Sequence, residues 1–364
     1  MVQVFDRRAL NRALLARQLL LVRADIPVYD AIHHLAGMQS QVPIPPYFGL
    51  WTRIRDFQPD ELSSLIMSRR VIRIGLMRST IHLVTDQDAL SFRPLLQSVM
   101  DRGLQGSYGR QLQGADLEEI AEAGRSLVET HPRTFAEIGK LLQAQWPDRD
   151  ATALANAVRN KVPLVQIPPR GLWGKSGSAM HTSLEAWLGQ PLISTMTLDV
   201  MILRYLAAFG PARVQDIQTW SGLTKLQETV DRLLPHLLTF QDEAGHVLYD
   251  VPRAPRPAAD THAPVRFLGE FDNMLLSYAD RSRIIADEYR TRVFTDNGII
   301  RSTVLIDGFV QGLWRIESKK KYAVLTIEPF IPLEADVAQA LKEEGMRLLA
   351  FAAPDAVFRE IQGI

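Results

Sequence analysis

The sequence predicts an α+β protein: tandem winged-helix (helix-turn-helix) units followed by a small C-terminal β-barrel-like region. Three observations lead there. Apolar residues recur at helical spacing through roughly the first two thirds of the chain. Short β-type runs close each group of helices. Beyond a Pro-rich stretch the texture turns to consecutive strands separated by turn residues.

Asp6 suits the N-cap of a first helix, whose apolar side is Leu10, Leu14 and Leu21. A second helix is expected over 28–38. Pro45-Pro46 launches a third, through Tyr47, Leu50 and Ile54, and Pro59-Asp60-Glu61 a fourth, ending near Arg69. Two β-type runs come next, 71–74 and 80–84, with Gly75 near the bend. Helices followed by a two-stranded ribbon outline a winged helix, and this first unit covers 1–115. The second unit, 116–190, has helices over 117–128, 134–142 and 151–160, a strand over 164–167 and a Gly-rich wing from Gly171 to Gly177. The third, 191–255, has helices over 198–209, 214–220 and 225–234. Its strands, 238–240 and 247–249, flank a turn at Asp242-Glu243-Ala244-Gly245. Identity between the copies is low, so the repeat is one of pattern.

Residues 252–264 hold four prolines and read as a linker. The last domain, 265–364, offers strands over 265–268, 292–294, 302–306, 309–316 and 322–327, and a late helix over 333–352. Asp296-Asn297-Gly298 and Asp307-Gly308 are turns between them.

Composition narrows the function classes. The 364 residues are 46% hydrophobic and 23% charged, the profile of a folded soluble chain. The chain has no Cys, which excludes disulfides, thiolate metal sites and a Cys nucleophile. No apolar run approaches the roughly 20 residues of a membrane helix. The N-terminal segment carries Arg and Asp within its apolar pattern and reads as a folded helix rather than a signal peptide. A cytoplasmic home is the expectation. With 41 basic and 41 acidic residues, the chain is not an indiscriminate DNA coat, although a local basic channel is compatible. Basic residues cluster at Arg7, Arg8, Arg12 and Arg17, at Arg69, Arg70 and Arg73, and at Lys319 to Lys321; each cluster taken alone reads as a solvated surface.

Gln39-Ser40-Gln41 is expected at a helix end, just before the extended Val42-Pro43-Ile44-Pro45-Pro46. The same spacing occurs in Gln143-Ala144-Gln145, in a helix tail, so spacing alone carries no weight. Gly174-Lys175-Ser176 is not a phosphate loop, because Pro169 stands where the leading Gly belongs. Hence no nucleotide cofactor is expected. His33 and His34 are adjacent on a helix and cannot share a ligand face, and no metal site is expected. His82 alternates with Ile81 and Leu83 on a strand, which turns it to solvent or to the groove, as a satisfied structural His or as a DNA contact.

Longer stretches are more specific. They are 8–18, Gly37-Met38-Gln39-Ser40-Gln41, 78–84, Pro168-Pro169-Arg170-Gly171-Leu172-Trp173-Gly174-Lys175-Ser176-Gly177, Trp220-Ser221-Gly222-Leu223, Glu270-Phe271-Asp272-Asn273 through Arg281, and Asp307-Gly308-Phe309-Val310. In this order, over nearly the whole chain, they resemble the AlkZ/YcaQ-type winged-helix DNA glycosylases, which excise bulky or crosslinked alkylated bases. The resemblance implies winged helices followed by a β-barrel-like region. Gln41 matches the Gln-x-Gln of the AlkZ-like branch rather than Gln-x-Asp. Three positions depart from the family: Ser40 replaces an apolar residue, Gly269 stands where Pro is frequent, and Tyr278 where His is frequent.

What the resemblance implies is a monofunctional glycosylase acting on double-stranded DNA with alkylated purines, as a monomer, with no cofactor and no membrane. In relatives this activity often protects a bacterium from its own DNA-alkylating product. Gln39 and Gln41 are the expected catalytic residues. Arg78, Thr80, His82, Arg170, Lys175, Arg281, Asn297 and Arg301 are the expected DNA contacts, and Asp272 and Asn273 the supports of the catalytic loop; a helix cap at Asp272 is the plainer alternative. The segment 292–301 is a candidate for a groove-inserting hairpin, and an ordinary barrel turn is the favoured plainer reading. Glutamine has no titratable proton and cannot replace the carboxylate pair of ordinary glycoside hydrolysis. An N7-alkylguanine already carries positive charge and leaves without a general acid. Two oriented amides then need only position water and stabilise the developing cation. A non-catalytic winged-helix transcriptional regulator is the alternative, as is a protein-binding scaffold.

Overall fold

The computed structural model describes residues 3–193, 195–319 and 321–364. Lys320, in the Lys319–Lys321 cluster, lies outside the described residues. Asp6 caps the first helix as expected: its carboxylate accepts from the Ala9 amide at 2.6 Å, and the helix runs Arg7–Arg17. The basic residues on this helix divide. Arg7 and Arg8 are exposed, but Arg12 and Arg17 are buried. Arg17 donates to both carboxylate oxygens of Asp250 at 2.6 and 2.7 Å, and Arg12 to the Thr261 carbonyl at 2.6 Å. Two of the four are therefore buried and paired, Arg17 with Asp250 and Arg12 with the part-exposed Asp307, rather than solvated charge. Together with Arg8 they hold down the Pro-rich stretch, since the Pro255, Ala259 and Thr261 carbonyls accept from Arg17, Arg8 and Arg12 in turn.

Three groups of helices precede the C-terminal sheet. In the first are Val28–His34, Pro45–Trp51 and Pro59–Met67. In the second are Leu117–Thr130, Phe135–Gln143 and Ala151–Lys161, and in the third Leu198–Phe209, Val214–Ser221 and Gln227–Leu233. Between the first two groups lie helices Asp86–Leu95 and Gln97–Tyr108, which the periodicity does not single out. The signal is present: Thr85 caps the first by accepting from the Asp88 amide at 3.1 Å.

The strands of the first two groups do not form separate ribbons. They share one sheet in the order Met38–Gln39, Ile81–Thr85, Val71–Gly75, Leu164–Gln166, His181–Ser183. A second sheet joins Val4–Phe5, parallel, to the hairpin Leu238–Asp242 and Val247–Asp250.

The C-terminal sheet runs Phe358–Gln362, Tyr322–Pro329, Phe309–Lys319, Thr303–Ile306, Arg266–Leu268. Its two outer strands do not pair, so the expected barrel is an open sheet. The helix Ala335–Ala352 explains why: it carries the chain back to a parallel edge strand and covers one face with Leu341, Leu348 and Leu349. The strand expected at 292–294 is instead the end of a short helix, Arg290–Val293. After that helix the chain makes a tight loop closed by a single bridge, Phe294 to Ile300, rather than a two-stranded hairpin.

Candidate active site

Gln39-Ser40-Gln41 is not at a helix end. The preceding helix stops at His34, and Ala36 and Gly37 turn left-handed, at φ of 53° and 90°. Gly37 has to be glycine on two counts: its positive φ, and a Cβ that would lie 2.5 Å from Val84 Cγ1. The chain leaves this turn extended. Met38–Gln39 pairs antiparallel with Ile81–Thr85, Gln39 opposite His82, and the Ser40 amide donates to the Ile81 carbonyl at 2.8 Å. On extended backbone, residues two apart share a side.

The contacts show that division. Ser40 turns to Arg73, which donates from Nε to Ser40 Oγ at 3.1 Å and from Nη2 to its carbonyl at 2.8 Å. Gln39 and Gln41 turn to the 76–81 loop. Arg78 Nη2 donates to Gln39 Oε1 at 2.7 Å, and the Ile81 amide donates to Gln41 Oε1 at 3.2 Å. A guanidinium and a backbone N–H can only donate, so both amide groups are fixed in orientation. Each oxygen keeps a second lone pair, and each NH₂ remains a donor. Gln39 is buried and Gln41 exposed, so the pair runs from the interior to the surface.

The loop that aims Arg78 is strained. Arg78 and Ser79 are both left-handed, at φ of 57° and 58°, which costs about 1–2 kcal/mol per residue. Arg78 is held there by a hydrogen bond to the Trp220 carbonyl. Gly222 gives room for it: a Cβ there would meet the Arg78 backbone nitrogen at 3.2 Å.

From the far side, Asn273 Nδ2 donates to the Gly37 carbonyl at 2.7 Å and so fixes the turn that leads into Gln39. Asp272 accepts from Arg53 at 2.7 and 2.8 Å, with both side chains buried, and also from the Met274 amide at 3.0 Å. It is both the cap of a short 3₁₀ turn, Asn273–Leu275, and half of a core ion pair.

Guanidiniums cluster around the motif. Burial lowers the Arg73 pKa to about 10, with Arg170 repelling it. Burial, then Arg281, does the same to Arg78, also to about 10. Arg73 Nη1, Arg170 Nε and Arg281 Nε are buried with no hydrogen-bond partner among the described residues.

The other expected DNA contacts separate. His82 is buried, its Nδ1 donating to the Thr80 carbonyl at 3.0 Å, and burial followed by Arg78 lowers its pKa to about 3. It is a neutral interior residue and offers no surface to DNA. Thr80 is half-buried, its hydroxyl donating to the Met77 carbonyl. Lys175, Asn297 and Arg301 are exposed. Arg170 donates to the Gly177 carbonyl at 3.2 Å, and Arg281 lies over the Phe294 ring at 4.8 Å. Tyr278, where relatives often have His, is buried and donates to the Phe209 carbonyl.

Sequence reasoning misses Arg73 and Arg53. Beside Arg69 and Arg70, Arg73 reads as solvated charge, yet it is 2% exposed beneath Ser40. Its alternation with Ile72 and Ile74 inside a strand is the available signal.

A family model described as DNA glycosylase AlkZ-like matches residues 32–351. The chain belongs to the AlkZ-like DNA glycosylases. It is 25% identical over 356 residues to the interstrand DNA cross-link repair glycosylase of Streptomyces sahachiroi, spanning 90% of this chain and 91% of the relative. The solved structure of the Streptomyces sahachiroi DNA glycosylase AlkZ superposes with a TM-score of 0.80 at 20% identity, covering 99% of this chain and 100% of that one. That likeness establishes the fold. Among the described residues no helix is long and apolar enough to cross a membrane, and no group of three or more His, Asp or Glu is placed to hold a metal.

Proposed function

We propose that this glycosylase hydrolyses the N-glycosidic bond of bulky, cationic N7-alkylpurine adducts or crosslinks in double-stranded DNA, acting as a cytoplasmic monomer with Gln39 and Gln41 as its catalytic pair. The observation that carries this reading is the paired, oriented amides: one glutamine oxygen is set by Arg78, the other by the Ile81 amide. A water between them would donate to one free lone pair and accept from one NH₂. Its oxygen bonds to C1′ as the C1′–N9 bond breaks. The bonding electrons pass to the base, whose positive charge they neutralise, and the water's proton goes to solvent. No side chain has to transfer a proton, which suits glutamine.

The half-buried Arg78, Arg170 and Arg281 around the motif, with the exposed Lys175 and Arg301, support DNA as the partner, because a phosphate backbone would balance their charge. We read the three helical groups as winged-helix units 1–115, 116–190 and 191–255, with Arg78, Thr80, Arg170, Lys175, Arg281, Asn297 and Arg301 as DNA contacts. The cross-link substrate follows the relative's printed name. The test is single-turnover excision of N7-methylguanine from a duplex by Gln39→Ala and Gln41→Ala, with abasic sites scored. Loss of about 100-fold or more in each is expected; wild-type rates in both would end the proposal.

A further inference from the structure

The motif runs directly into a cleft. Val42 and Ile44, next along the chain from Gln41, line an opening of about 490 Å³ together with Phe48, Trp314 and Ile316. That volume falls within the roughly 300–1,000 Å³ of small-molecule sites, and the lining sets an apolar surface beside four charged groups, Glu270, Glu328, Arg301 and Arg315.

One of those polar groups stands out. Glu270 lines the cleft, is half-buried, and has no hydrogen bond or ion pair among the described residues. The other acid at the cleft, Glu328, is exposed and already accepts from Arg292 at 2.6 Å. Asp272, two residues along, is taken by Arg53. Between Glu270 and Asp272 stands Phe271 at φ 57°, an outlier for a bulky side chain. The strained residue separates a carboxylate used in the core from one left facing the cleft. Burial raises the Glu270 pKa, and no nearby donor offsets it. Leaving a half-buried carboxylate without a donor is unfavourable, and a ligand that brings one would remove the penalty.

We infer that this cleft is the subsite for the non-base part of the lesion, and that Glu270 receives a protonated amine or other N–H donor carried on an apolar or aromatic adduct. The inference rests on the N7-adduct reading above. N7 and N9 belong to one five-membered ring, so a large N7 substituent lies close to the scissile bond and needs space beside the catalytic pair. Here that space begins one residue after Gln41. Glu270 is thus a specificity-determining residue, selecting among cationic lesions rather than cleaving them.

The experiment compares two duplexes under single-turnover conditions. One carries N7-methylguanine, the other an N7-guanine monoadduct bearing an aromatic ring and a protonated aliphatic amine. The readout is the ratio of the two excision rates for wild type, Glu270→Gln and Ile316→Trp. The first variant removes the charge at constant shape, and the second fills the cleft. The ratio of bulky to methyl excision is expected to fall about tenfold or more in each. An unchanged ratio in both variants, with the wild type active on both lesions, overturns the subsite and leaves the glycosylase reading standing. Release of neither lesion by the wild type overturns that reading, and the subsite with it. A fall in Ile316→Trp alone would overturn the part given to the carboxylate.

Discussion

Gln39-Ser40-Gln41 and Gln143-Ala144-Gln145 have the same spacing and opposite surroundings. The first lies on extended backbone against a strand, with its central residue buried on Arg73 and each flanking amide held by a donor. The second begins at the last residue of the helix Phe135–Gln143 and is exposed throughout. There Gln143 Nε2 donates to the Arg149 carbonyl at 2.9 Å, so its nitrogen, not its oxygen, is engaged. Pre-organisation therefore comes from the surrounding shell. On the proposed reading, a glutamine pair becomes a site when strand pairing, a strained arginine loop and a buried asparagine clamp over-determine its geometry.

The comparison breaks most severely if the first region loses its anchor. Asp272→Ala leaves Arg53 buried without its partner, and urea unfolding is expected to show a loss of about 3–5 kcal/mol. Removing the amides comes next. Gln39→Ala with Gln41→Ala should slow N7-methylguanine excision by about 100-fold or more, while Gln143→Ala with Gln145→Ala should leave the rate at the wild-type value. Asn273→Ala leaves the Gly37 carbonyl without its donor; a loss of about 1–3 kcal/mol in urea and a slower excision step are expected together. Ser40→Ala is milder, about 1 kcal/mol, because Arg73 still donates to the Ser40 carbonyl.

The last effect is a slope with pH rather than a loss at fixed pH. His82 has its pKa lowered to about 3 in the fold, so the unfolded chain binds the extra proton between that value and the ordinary histidine pKa near 6.5. Its contribution is whole above about pH 6.5 and declines as pH falls towards 3. Melting temperatures measured from pH 7 to pH 5 should fall less steeply in His82→Gln than in the wild type.

Helices with caps and periodic apolar faces are legible in the sequence: Asp6, Pro45-Pro46 and Pro59 mark real helix starts. The sheet joining the first two helical groups is not, because its two halves meet only where Arg73 and Ile74 pair with Gln166 and Val165, far apart in the chain. For the same reason the C-terminal strands can be found individually while their open order cannot. At the site, the glutamines are found through the family's stretches. The segment's extended form is hidden by the apolar run from Val28, and only Gly37 signals the break. Arg73, Arg53 and Arg17 are misjudged or missed because a buried guanidinium looks like a surface one until its partner is known.

The most direct measurement sets a cationic lesion against a neutral one. Wild-type protein is given matched duplexes bearing N7-methylguanine or uracil, and abasic sites are counted under single-turnover conditions. Since neither glutamine can protonate a leaving base, release of N7-methylguanine with none above background from uracil is the predicted result. Comparable release from both would contradict it.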